Sequence, residues 1–164
     1  MPMLVSGLIA GLVLGLISGG NWRNFQTVEF RLWPALAMGA VARLAAPLFG
    51  ALALAAWVLG LVLVGLVAIL NRALPGAWLL AVGAFLNAVV TIFNGGMPVD
   101  PGALAASGKP APNDGLHVLL GPETRLPFLG DVILAPVLNA IYSAGDVLLA
   151  VGGFWMAFRI LRRR

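Results

Sequence analysis

Cysteine is absent, histidine occurs once and charge is scarce. Without a thiol there is no disulfide framework, no thiolate nucleophile and no cysteine-built zinc or iron–sulfur site. One histidine adds no ligand set for zinc or haem, so neither a metal nor a cofactor is expected. Charged residues fill 10% of the 164 positions, whereas a soluble domain carries about 25%. Ten basic and six acidic side chains cannot cover a water-facing surface of this size. A Walker loop, a strand-borne GxGxxG and a Gly-x-Ser-x-Gly elbow are also missing. Ser107 and Ser143 have no histidine base close by in the chain, which argues against a serine hydrolase.

The chain is instead rich in apolar side chains, at 61% hydrophobic with a mean hydropathy of +1.01. That composition predicts an all-α integral membrane protein, residues 1–164 forming a single membrane domain with the lipid bilayer as its partner. A spanning helix needs roughly 20 apolar residues, and five segments approach this: 3–18, 32–48, 50–70, 74–93 and 143–160. The N-terminus has no basic stretch before its apolar run, so it does not read as a cleavable signal. The net charge of +4 comes from arginines at segment ends, a topology signal rather than a nucleic-acid footprint. Placing the C-terminus inside puts Arg23, Arg31, Arg72, Arg159, Arg162, Arg163 and Arg164 there, with only Lys109 and Arg125 outside. This predicts N-terminus out and C-terminus in. Trp22, Trp33, Trp78 and Trp155 then form an inner aromatic belt, and Trp57 is left to pack between helices or meet lipid.

Gly7, Gly11, Gly15 and Gly19 recur every four residues, a small-xxx-small face that lets another backbone come close. Two readings fit: a seam with a second copy or another membrane protein, and packing within one bundle. Residues 20–31 mix aromatics with charge and read as an anchor in the inner interface.

The polar residues collect between Asn94 and Asp146, in an outer loop over 94–142. Asn94–Arg125 holds six glycines and five prolines in 32 residues, which excludes one regular helix. Residues 126–141 are apolar but contain Pro127, Asp131, Pro136 and Asn139. A re-entrant or surface-lying segment is expected, since spanning would put the arginine-rich tail outside. Five of six carboxylates lie in this region, and Asp131 and Asp146 sit at the edges of apolar runs. Ionisable groups at that depth are functional candidates. Two adjacent carboxylates can divide the work, one holding a proton while the other activates water. Helix capping is the alternative for both, and Ser143-Ala144-Gly145-Asp146 has capping-box spacing. Arg43, roughly 7 Å below the outer end of helix two at about 1.5 Å per residue, either snorkels or balances these acids or a substrate anion. His117 is either a loop hydrogen-bonder or a substrate contact.

These residues resemble a bacterial membrane family catalogued as a domain of unknown function, number 5317 in that series. The resemblance lies in GLIAGLVLGLISGGNWRNFQTVEFRLWPAL, Asn94-Gly95-Gly96-Met97-Pro98, His117, Leu129-Gly130-Asp131 and Ser143-Ala144-Gly145-Asp146. It implies a small polytopic protein of the bacterial cytoplasmic (inner) membrane, without an activity to carry over. A second resemblance, to the lipoprotein signal peptidases, lies in Leu129-Gly130-Asp131 and Ile141-Tyr142-Ser143-Ala144-Gly145-Asp146, with Asn94-Gly95-Gly96 echoing an Asn-x-Gly motif. Here glycine precedes the second aspartate, the interval is shorter, and Asn94 follows helix four instead of helix one. Two functions are therefore carried forward. In one, Asp131 and Asp146 activate water on a membrane peptide or lipid-linked substrate oriented by Asn94, His117 and Arg43. In the other, the protein is a non-catalytic accessory subunit or scaffold.

Overall fold

The computed structural model describes residues 2–163, of which the side chains of Pro2 and Arg43 are not described. Among the described residues six α-helices run over Pro2–Ile17 (α1), Trp33–Ala45 (α2), Ala53–Leu70 (α3), Ala77–Asn94 (α4), Pro101–Ser107 (α5) and Ala144–Leu161 (α6). The fold is mostly helical, at 67%. It is not all-α: four three-residue strands occur between α4 and α6, Met97–Val99 (β1), His117–Leu119 (β2), Ile133–Ala135 (β3) and Ala140–Tyr142 (β4).

Five helices pack in a row in the order α1, α6, α4, α3, α2. Three among the described residues are long and apolar enough to cross a membrane: Ala46–Leu70, Ala77–Asn94 and Ala144–Leu161. An 18-residue helix is about 27 Å long, close to the hydrocarbon thickness, and 13 residues give only about 20 Å. The α1 and α2 helices, at 16 and 13 residues, are shorter than that thickness. The helix expected over 32–48 stops at Ala45, and a 3-10 segment over Ala46–Leu52 follows. Pro47 lacks the amide a continuing helix needs, and Gly50 turns the chain at φ 51°.

Small residues set the helix spacing. A Cβ on Gly7 or Gly11 would strike the backbone of Ala150 or Phe154 on α6, and one on Gly15 would meet the Leu161 side chain. The glycine face of α1 is thus filled by α6 of the same chain. Gly19 differs, because it ends the helix at φ 81°. Its amide donates to Leu16 O at 2.9 Å and that of Gly20 to Gly15 O at 2.9 Å, the paired bonds of a Schellman cap. Gly83 and Gly145 likewise let α4 and α6 touch.

The row has two chemically distinct ends. Arg23, Arg31, Arg72, Arg162 and Arg163 lie at the end where α1 and α6 finish. There Asn21 N donates to Leu161 O, Asn71 clasps the backbone of Arg31, and Arg162 bonds Ser18 O. Trp22, Trp33, Trp78 and Trp155 are exposed towards this arginine end. Residues 95–143 cover the opposite, loop end. There β1 and β2 pair in parallel, Met97 opposite His117, and Val99 bridges to Asp131. The β3 and β4 strands pair antiparallel, Ile133 opposite Tyr142. Residues 126–141 therefore form 3-10 turns and a hairpin.

Substituting Gly11 by leucine forces side-chain atoms into the Phe154 carbonyl. The expected loss is about 2–3 kcal/mol of stability, read as a lower thermal midpoint in detergent.

Candidate functional site

The loop end closes over a cavity of about 290 Å³. Its floor is helical: Trp57 and Leu61 from α3, Asn87 and Thr91 from α4, and Asp146 from the first turn of α6. Its roof comes from the loops and brings Met97, Lys109, His117, Asp131 and Tyr142. The two aspartates singled out in the sequence thus line one cavity, together with the chain's only histidine.

Each aspartate is positioned by a different device. Ser143 caps α6 by accepting the Asp146 amide at 2.9 Å, the forward half of a capping box. The Asp146 carboxylate faces α4, where its Oδ1 accepts from Asn87 Nδ2 at 3.0 Å. The Ser143 hydroxyl donates to Asn87 Oδ1 at 2.8 Å. Gly145 makes room for this, since a Cβ there would overlap the Asn87 amide. Asp131 is placed by its backbone: its amide donates to Pro98 O at 2.7 Å, and its carbonyl accepts from Asp100 N at 3.0 Å. Its Oδ2 lies 4.0 Å from His117 Nε2, too long for a direct hydrogen bond and short enough for a Coulomb pair.

His117 is held from the other side by Asp114, whose Oδ2 lies 2.6 Å from Nδ1. The ring meets Trp57 edge-on with centroids 4.9 Å apart. Partial burial raises the Asp114 pKa. The amides of Leu116 and His117 and the His117 ring outweigh that, so the carboxyl lies below its ordinary value. Tyr142 moves the other way: burial, aided by the Asp146 charge, raises its pKa. His117 and Asp131 also line a second hollow of about 560 Å³, below the Pro110–Asn113 strap, so they stand on the wall between the two spaces.

The other expected contacts lie elsewhere. Asn94 Nδ2 donates to Val90 O at 2.8 Å and Arg125 O at 2.9 Å, while Oδ1 accepts from Arg125 N at 2.8 Å. It clasps the chain and does not line the cavity. Arg43 is on α2, and its side chain lies outside the described part of the structure. Gly7, Gly11 and Gly15 face α6, away from this site. Among the described residues no group of three His, Asp or Glu side chains is arranged to hold a metal ion. Sequence reasoning missed Asn87, Tyr142, Trp57 and Asp114. Asn87 was the discoverable one, because an amide inside an otherwise apolar helix needs a partner.

A largely apolar helical row with a cavity of mixed polar and apolar lining beneath one loop-covered end defines the architecture. The chain belongs to the family described as a family of unknown function (DUF5317), whose model matches residues 23–158. No curated protein and no solved structure matches it.

Two outcomes test this geometry. Asn87→Ala strands the buried Ser143 hydroxyl and Asp146 carboxylate, so a loss of about 2 kcal/mol is expected from thermal melts in detergent. Asp114 has a depressed folded-state pKa, so its stabilisation is complete above the unfolded carboxylate value of about 4 and disappears as pH falls through the folded value. Asp114→Ala should therefore lower the midpoint at pH 7 and flatten its decline below about pH 4.

Proposed function

We propose that this is a bacterial cytoplasmic-membrane protein whose loop end faces outward and whose cavity performs acid–base hydrolysis on a membrane peptide or lipid-linked substrate. The orientation rests on charge. Arginines gather at one end of the row, and the loop end carries five of the six carboxylates with Lys109 and Arg125, Arg43 lying below it in the last turn of α2.

One observation carries the chemistry: His117 is held at Nδ1 by Asp114 while Nε2 faces Asp131 across 4.0 Å. A carboxylate on Nδ1 orients the imidazole and leaves Nε2 as the basic nitrogen. Nε2 takes the proton from a water attacking the scissile carbonyl, then returns it to the leaving group. Asp131 stabilises the imidazolium in between. Asp146, tied to Asn87, supplies the second carboxylate of the site.

A specific observation favours the other reading for one residue. Asp146 joins α6 to α4 through Asn87 and Ser143, a role a non-catalytic accessory subunit or scaffold also needs.

The two separate in ¹⁸O-labelled water with protein in lipid nanodiscs, supplied with membrane lipopeptides or lipid extract. Hydrolysis places ¹⁸O in a product, and His117→Gln should reduce that incorporation at least about 100-fold. Incorporation no greater than in the variant ends the hydrolytic reading and leaves the scaffold.

A further inference from the structure

The loop-end cavity holds the chain's only tyrosine besides its only histidine. Tyr142 is 2% exposed, and its buried hydroxyl has no hydrogen-bond partner among the described residues. Leaving such a group unpaired is costly, and an occupant of the cavity can satisfy it. The same cavity presents the carboxylates of Asp131 and Asp146 against one ammonium, Lys109 at its rim. The two carboxylates outnumber the one ammonium, inside a chain whose net charge is +4. The walls between these groups are the Trp57 ring, Leu61 and Met97. A negative, partly apolar recess with an unpartnered hydroxyl selects a cation that also carries hydrogen-bond donors.

We propose that this cavity binds a primary ammonium group, with Asp131, Asp146 and the Tyr142 oxygen accepting its three N–H bonds. The inference rests on the reading of the cavity as a substrate site and names the substrate class: a molecule bearing R–NH₃⁺. A quaternary ammonium has the same charge but no N–H to offer Tyr142. A neutral alcohol lacks the charge, and an anion is repelled. The ammonium arrives as a small soluble amine or as the headgroup of an aminophospholipid.

Because tyrosine and histidine each occur once, ¹³C-tyrosine and ¹⁵N-histidine labelling gives one signal per residue from the intact chain. In an amine-free detergent, ethanolamine should shift the Tyr142 ring signal saturably, while tetramethylammonium and acetate leave it in place. Asp146→Asn should weaken the ethanolamine response at least tenfold. Lys109→Gln removes the like charge and should strengthen it about threefold, a gain that misfolding cannot mimic. Nanodiscs of phosphatidylethanolamine and phosphatidylcholine distinguish the sources. A Tyr142 signal already displaced in the first lipid alone assigns the headgroup; an equal response to added ethanolamine in both assigns the soluble amine. An absent ethanolamine response with identical spectra in the two lipids, or an equal response to tetramethylammonium, overturns the proposal. Neither result bears on ¹⁸O incorporation, so amine recognition and hydrolysis stand or fall separately.

Discussion

Asn87 sits near the middle of α4 with its amide engaged in both directions, donating to Asp146 and accepting from Ser143. In an apolar layer the cost of an unpaired amide makes this an all-or-nothing arrangement. It fixes where α6 begins, because the Ser143 hydroxyl both caps that helix and reaches α4. It also fixes the spacing, because Gly145 and Gly83 allow a backbone approach that any side chain would prevent. The Asp146 carboxylate is consequently placed on the cavity floor by the contact that sets the helix pair. Structural anchoring and function are not competing accounts of this residue, since a group rigidly held by one oxygen can present the other.

Much of this arrangement was legible in the sequence, and for physical reasons. Apolar runs long enough to cross a bilayer cannot be hidden, and α3, α4 and α6 follow them. The Gly7, Gly11 and Gly15 repeat signalled a close helix contact; its partner, α6, lies nearly 150 residues downstream and is set by three-dimensional packing. The loop end was less readable. Strands of three residues have no periodicity to detect, and the β1–β2 pair depends on bringing Met97 to His117 across α5. The turn at Gly50 was legible, since the expected segments break between 48 and 50; the uniformly apolar residues around it concealed that α2 already ends at Ala45 and a 3-10 segment follows.

The asparagines show where type alone misleads. Asn24, Asn71 and Asn94 each bond backbone groups where the chain leaves or meets a helix: Leu161 and Arg163, Arg31, and Arg125 respectively. A side-chain amide matches a peptide group donor for acceptor, so it can complete backbone bonding where a helix stops. Asn94, followed by two glycines and beside the polar loop, looked like a ligand contact and performs this task instead. Asn87 has no helix end beside it and is the one that touches an ionisable side chain. Position relative to a helix terminus, more than polarity, separates the two roles.

The cavity joins two parts of unequal rigidity. Its floor belongs to α3, α4 and α6, continuous helices packed through small residues. Its roof is held by three-residue ladders, the Val99–Asp131 bridge and single bonds such as Asp131 N to Pro98 O. Local opening follows the least cooperative bonding, so the roof opens at lower cost than the floor. Asp146 is fixed to the floor, while His117, Asp131 and Tyr142 belong to the roof. The groups that line the cavity therefore divide between a helical floor fixed by α4–α6 packing and a roof built by residues 95–143.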